Sequence, residues 1–285
     1  MEMRSACELI HPVLSIKAMK YDCFKDKVAL VTGGTRGIGK KIAELLAESG
    51  CHLSLVFKRN KTAADETARE FSIYGVEVQL IQANLAKDES AVDIITEVRK
   101  RFNRLDYLVS NAAFGVMRPI GEFDGKRFDA AMGPNAKAYL LLSQVAAELM
   151  SPMGGNGDSK KSEGEIRADK RIVALSSLGS VRAIPGYVAV GASKAAMESI
   201  TRYLAYELAP RGIGVNTVSG GLVDTDALRA FGESPQWIER EINKTPLKRI
   251  AQPIDIAKVV LYMLSDQSEW ITGQTIVADG GNSLT

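Results

Sequence analysis

The sequence predicts one α/β domain, a doubly wound, seven-stranded parallel sheet with helices on both faces, and three observations carry that expectation. From residue 27 onward, short β-branched runs alternate with amphipathic stretches, the pattern of βαβ units. The turn VTGGTRGIG follows the first of those runs and opens a helical stretch; its glycines and free N–H groups suit a pyrophosphate. The chain has 285 residues, 46% hydrophobic and 25% charged, ordinary material for one open α/β core.

Ahead of the domain, residues 1–24 hold apolar residues broken by His11, Pro12 and Lys17. No apolar core followed by a small-residue cleavage site is visible, which argues against a secretory signal. Two readings stay open, an N-terminal extension and a start at Met19. The folded domain is expected over 25–285. Strands are expected at 28–32, 53–57, 76–82, 105–110, 172–176, 214–218 and 275–278, and the longest helices at 135–150 and 187–208. Right-handed crossovers then put helices on both sheet faces. Residues 154–170 include the polar, aperiodic run GGNGDSKKSEGE and read as a flexible loop, with a partner-docking loop as the alternative. Residues 226–245, with Phe231 and Trp237, read as a substrate lid or as a packed helix pair.

Several function classes are disfavoured. A net charge of +2 without a basic stripe argues against nucleic acid. Cys7, Cys23 and Cys51 form no C-x-x-C pair, and only His11 and His52 could join them, so a metal-free protein of a reducing compartment is expected. No apolar run approaches the ~18 residues that span a bilayer, so a soluble protein without membrane insertion is expected.

The nucleotide-binding end is the most legible. Gly33, Gly37 and Gly39, with Thr35, Arg36 and Ile38 between them, form the turn, and SNAA supplies Asn111, Ala112 and Ala113 after the fourth strand. About twenty residues past the glycines, where an acidic residue would take the ribose 2′-hydroxyl of NAD, stand Lys58 and Arg59. Guanidinium groups match a phosphate fork, and Arg36 flanks the same position, so NADPH (NADP+) is favoured over NADH. The plain alternative is solvated loop cations. Asn84 and Leu85 follow the third strand; Asn84 faces adenine or caps its own loop.

In SSLGSVRAIPGYVAVGASK, Tyr187 lies seven residues before Lys194, and Val190 holds the place four before it. Residues seven apart on a helix share a face about 20° apart and roughly 10 Å along the axis. Pro185 and Gly186 set the tyrosine at or just before the helix N-terminus.

With TGGTRGIG, SNAA, the serine–tyrosine–lysine stretch and VNTVSGGLVDT in this order, residues 27–285 resemble the short-chain dehydrogenase/reductase family, whose fold is of the Rossmann type. Within it, SNAAFGVMRP, VSGGLVDTDAL and GQTIVADGGNSL look like the third bacterial form of enoyl-acyl carrier protein reductase, the NADPH-using FabL type, which carries tyrosine, six residues, then lysine. The resemblance implies a cytoplasmic enzyme of fatty-acid elongation. It also implies a homotetramer built through the long helices and reduction of the trans-2 double bond of enoyl thioesters on acyl carrier protein. Tyr187 would then meet the thioester oxygen as enolate charge grows. Lys194 would hold the nicotinamide ribose and favour the phenolate, and Ser177 would polarise the carbonyl or only satisfy the strand end. Gly221, Val223 and Thr225 would pass the carboxamide and pyrophosphate. Gly133 stands where ketone-reducing members carry a relay asparagine, with Asn135 displaced from it. The alternatives are a short-chain carbonyl reductase or alcohol dehydrogenase, and a non-catalytic dinucleotide-binding protein.

Overall fold

A run such as VALVT, apolar on both faces, is stable only between two helical layers, and Val28–Thr32 (β1) is buried at all five positions. In the computed structural model, which describes residues 22–151, 168–226, 228 and 235–285, β1 pairs in parallel with His52–Phe57 (β2) and Tyr107–Ser110 (β4). Val78–Gln82 (β3), Lys170–Ser177 (β5), Ile213–Gly220 (β6) and Thr275–Ala278 (β7) complete a seven-stranded sheet in the order β3-β2-β1-β4-β5-β6-β7. This is the doubly wound architecture expected. The order reverses between β1 and β4, and ligands of such sheets lie outside the strand C-termini at that switch point. Most of the extension, most of the 154–170 segment and Phe231 lie outside the described residues.

Two cores sandwich the sheet. On one face lie Ser90–Phe102 (α3), Ala138–Met150 (α5) and Val188–Leu208 (α6), with Ile94, Val98, Tyr139, Leu142, Met197 and Leu204 in one apolar cluster. On the other lie Gly37–Glu48 (α1) and Pro253–Leu264 (α8), which bring Ile42, Leu46, Ile256, Val260 and Leu264 against the β1 and β2 side chains. Lys61–Phe71 (α2) closes that side with Phe71, Gly125–Met132 is α4, and Pro235–Lys244 is α7.

Differences from the sequence expectation sit at element ends. The strands β5 and β6 run longer, because Lys170 through Ser177 pair residue by residue with Ile213 through Gly220. The strands expected at 76–82 and 105–110 start two residues late, at Val78 and Tyr107. The helix expected at 135–150 starts at Ala138, after a π-helical turn over Gly133–Lys137. Pro134 in that turn has no N–H to give the preceding helical turn, and a widened turn accommodates the loss.

Candidate active site

The glycine turn is shaped by close approach. Gly33 and Gly37 have positive φ, +65° and +53°. A Cβ on Gly39 would stand 2.3 Å from the Gly33 carbonyl oxygen and 2.4 Å from Asn111 Nδ2, so only glycine lets α1 start against the turn. One hydroxyl ties this turn to the end of β4: Thr32 Oγ1 accepts from the N–H groups of Asn111 and Ala112, both at 3.0 Å. Asn111 Nδ2 donates to Thr32 O at 2.9 Å and to Gly33 O at 3.3 Å. Thr35 is buried and its carbonyl accepts from Thr67 Oγ1. A Cβ on Gly37 would lie 3.6 Å from Thr225 Cγ2, so the segment after β6 reaches the same turn. Val223 is held by a parallel bridge to Ala251, and Gly221 backs onto Asp279.

The cations gather at the neighbouring strand ends. Arg36 precedes α1 as its N-cap, and Lys58 and Arg59 follow β2 directly; all three are exposed and form no ion pair among the described residues. Lys58 Nζ stands 6.0 Å from the centre of the Phe114 ring, a partner the sequence reading did not anticipate. Asn84 Oδ1 accepts from Ala86 N at 3.4 Å, and its carbonyl accepts from Lys87 N and Ser90 Oγ; this is the loop-capping alternative in place. Leu85 packs against the apolar cluster on the α3 face. Glycine turn, free cations and strand ends together fit a dinucleotide with a charged adenosine ribose.

Tyr187 is the N-cap of α6 (φ −98°, ψ 9°), the position expected from Pro185–Gly186. Gly186, at φ +75°, accepts through its carbonyl from Arg118 N at 2.9 Å, which fastens the tyrosine to the segment after β4. Gly179 makes room for the ring: a Cβ there would meet Tyr187 Cδ1 and Cε1 at 2.5 Å. Ser177 closes β5, and its hydroxyl both satisfies the strand end and reaches Tyr187. Its Oγ accepts from Gly179 N at 3.1 Å and donates to the Tyr187 hydroxyl at 3.3 Å. Val190 is buried, and a Cβ on Gly115 would strike its Cγ2 at 2.0 Å; the place four before the lysine is packed against the β4 segment.

Burial pushes the Tyr187 phenol above its ordinary value, opposed by the Ser177 hydrogen bond, so the hydroxyl is held protonated. Lys194 Nζ donates to Leu175 O at 2.6 Å and lies 3.6 Å from Met197 Sδ. Burial depresses its pKa from 10.5 to about 8, with Glu198 pulling the other way.

Asn135 was read as displaced from the relay position, yet its side chain is the one that bridges elements. It accepts from Phe114 N at 2.8 Å and donates to Phe114 O at 3.0 Å and to Ser193 Oγ at 2.8 Å, while Gly133 faces open space. The π turn swings residue 135 inward between β4 and α6. Sequence reading missed the Ser193 partner, which sits next to Lys194, and the buried pair Ser176–Glu198, whose Oγ and Oε1 are 2.5 Å apart. A cavity of about 500 Å³ between Leu222, Leu247, Arg249 and Asp279 shares Gly221 with this set but has neither Tyr187 nor Lys194 in its wall. The described residues contain no cluster of His, Cys, Asp and Glu able to hold a metal and no helix long and apolar enough to cross a membrane.

Parallel sheet, glycine turn at the switch point, and tyrosine and lysine on one helix define a nucleotide-dependent oxidoreductase. The model of a family described as enoyl-(acyl carrier protein) reductase matches residues 33–283. Over 260 residues, 90% of this chain and 87% of the relative, the sequence is 37% identical to 1-cyclohexenylcarbonyl-CoA reductase of Streptomyces collinus. It is 32% identical over 257 residues, covering 90% and 98%, to 3-oxoacyl-[acyl-carrier-protein] reductase FabG of Staphylococcus epidermidis. Among solved structures, the promiscuous reductase LugOII, which catalyses keto-reduction at C1 in lugdunomycin biosynthesis, superposes with a TM-score of 0.79 at 32% identity, covering 92% of this chain and 99% of its own. The glucose/ribitol dehydrogenase short-chain dehydrogenase/reductase of Brucella melitensis gives 0.81 at 28%, covering 93% and 99%. The chain belongs to the short-chain dehydrogenase/reductase family.

Proposed function

We propose that this protein reduces the trans-2 double bond of enoyl thioesters, carried on acyl carrier protein, with NADPH, as the FabL-type enoyl reductases do. One observation carries the reading: Tyr187 caps α6 two turns before Lys194, while Val190 fills the place one turn before it and is packed away against Gly115. A ketone reducer needs its acid beside the carbon attacked. In an enoyl thioester the attack falls on Cβ and charge collects on the thioester oxygen, several bonds away, so the acid belongs further out. Bound NADPH supplies the hydride. The Tyr187 hydroxyl, kept protonated by burial, donates to the thioester oxygen as enolate charge grows, with Ser177 holding it in place. The α-carbon is protonated afterwards.

On the cofactor side, Gly33, Gly37 and Gly39 admit the pyrophosphate, and Arg36, Lys58 and Arg59 meet the 2′-phosphate. Asn111, Ala112 and Ala113 line the adenosine side, Lys194 reaches the nicotinamide ribose, and Gly221, Val223 and Thr225 border the carboxamide. Residues 226–245 serve as the lid, the assembly is a homotetramer, and the setting is cytoplasmic fatty-acid synthesis. The reading gains support from the family description and from the Streptomyces relative, since a 1-cyclohexenylcarbonyl thioester carries its ring double bond conjugated to the thioester carbonyl.

A second reading, reduction of 3-ketoacyl thioesters, is favoured by two observations. Asn135 occupies a bridging position suited to a proton relay, and the staphylococcal relatives are named for 3-oxoacyl substrates. NADPH oxidation measured on crotonyl and 3-ketobutyryl thioesters separates the two. The enoyl reading expects the crotonyl thioester to be reduced faster, with a saturated acyl product; faster reduction of the ketone overturns it.

A further inference from the structure

Lys194 and Glu198 lie one turn apart on α6, and both point into the protein: Lys194 is 5% exposed and Glu198 8%. An i, i+4 pair of this kind is ordinarily a weak, solvated surface pair. Here each side chain is instead pinned to one of two consecutive residues of β5, Lys194 Nζ to the Leu175 carbonyl at 2.6 Å and Glu198 Oε1 to the Ser176 hydroxyl at 2.5 Å. Ser176 is itself buried and directly precedes Ser177, the partner of Tyr187. A glutamine at 198 would take the same bond from Ser176, so that bond does not explain a buried negative charge, which is costly unless it answers another charge.

The charge to be answered is the lysine. Among the described residues Lys194 makes no direct ion pair, and the other ionisable side chains on elements packed against this part of α6 are placed elsewhere. The strand β6 has none. Those of β5, Lys170 and Arg171, stand at its far end, where Lys170 is paired with Asp106. On α5, Tyr139 is hydrogen-bonded to Thr201 and Glu148 is paired with Arg211. Lys137 of the π turn is paired with Asp88, and Lys126, Arg127 and Asp129 of α4 are exposed.

We propose that Glu198, held by Ser176, is a positioning residue that keeps the Lys194 ammonium charged inside the site and thereby sets the upper pH limit of the reaction. The inference rests on the site assignment made above. Burial alone drives the lysine toward its neutral form, and Glu198 is the named opposing influence. Activity that needs the ammonium falls as pH rises through its pKa of about 8. Removing the carboxylate moves that fall to lower pH, by about one pH unit for the loss of a neighbouring opposite charge.

The test reads Lys194 directly, in the cofactor-free, substrate-free protein labelled with ¹⁵N-lysine, its Nζ signal assigned by its loss in Lys194→Met. Glu198→Gln, and Glu198→Met as a second uncharged variant should the first not fold, are expected to titrate about one pH unit lower than wild type. Glu198→Asp, which restores the charge, should return toward the wild-type midpoint. With substrate, the alkaline limb of kcat/KM should move in parallel. An unchanged Lys194 titration in a folded uncharged variant overturns the proposal. Because the titration needs no turnover, a protein that reduces neither thioester refutes the proposed function without touching this result.

Discussion

Lys194→Met should make the protein more stable at neutral pH while removing its function. The wild-type ammonium is buried, and its pKa is depressed from 10.5 to about 8. At about 1.4 kcal/mol for each tenfold change in proton affinity, keeping it charged in the fold costs on the order of 3 kcal/mol at pH 7. Losing the donor to the Leu175 carbonyl offsets roughly 1 kcal/mol of that, and methionine fills similar volume without charge. The net gain is about 2 kcal/mol, a melting temperature higher by roughly 3 °C in a chain of this size. The sign with pH follows from linkage. Between pH 8 and 10.5 the unfolded chain binds the lysine proton and the folded one does not, so wild-type stability from this group rises across that window. The advantage of the methionine variant should therefore be greatest at pH 7 and shrink toward pH 10.5. Thermal melts of both proteins at half-unit pH steps measure it. A variant less stable than wild type at pH 7, or a gain that stays flat with pH, refutes the reasoning.

Other expectations are simpler. Arg59→Asp should weaken NADPH binding at least tenfold more than NADH binding, read by cofactor fluorescence titration; equal losses would show that Arg59 does not meet the 2′-phosphate. Gly39→Ala places a methyl 2.3 Å from the Gly33 carbonyl, so it should abolish binding of both cofactors and lower the melting temperature, with intact binding as the contrary result. Tyr187→Phe should lower kcat about 10²- to 10³-fold, the usual loss for one oxyanion donor, and leave the NADPH Kd within about twofold. A proportionate loss of cofactor affinity would move Tyr187 from the reacting oxygen to the cofactor.

The sheet was legible because parallel strands buried on both faces leave a plain mark: VALVT, LSLVF and IVALSS are largely apolar runs bounded by turns, and each lies in a strand. The N-cap place of Tyr187 was legible from Pro185 and Gly186, which restrict the backbone locally. What escaped depends on contacts across the chain. Asn135 gains its place through a π turn and the backbone of Phe114, 21 residues away, and no local spacing announces either. Glu198 reads on paper as the surface partner of Lys194, and only its burial beside Ser176 separates it from a solvated pair. The burial that raises the Tyr187 phenol is likewise invisible in the residue types, which announce the lysine but not the packing around the ring.

The position of the acid is the central claim, and single-turnover NADPH oxidation with an enoyl and a 3-ketoacyl thioester tests it most directly, on wild type and on Tyr187→Phe combined with Val190→Tyr. Position 190 is packed against Gly115, so a tyrosine moved there sits one turn deeper and faces the wrong atom of an enoyl substrate. The account predicts that wild type reduces the enoyl thioester faster than the ketone and that the moved tyrosine does not restore enoyl reduction. A wild type that prefers the ketone, or a moved tyrosine that reduces the enoyl thioester at the wild-type rate, would contradict it.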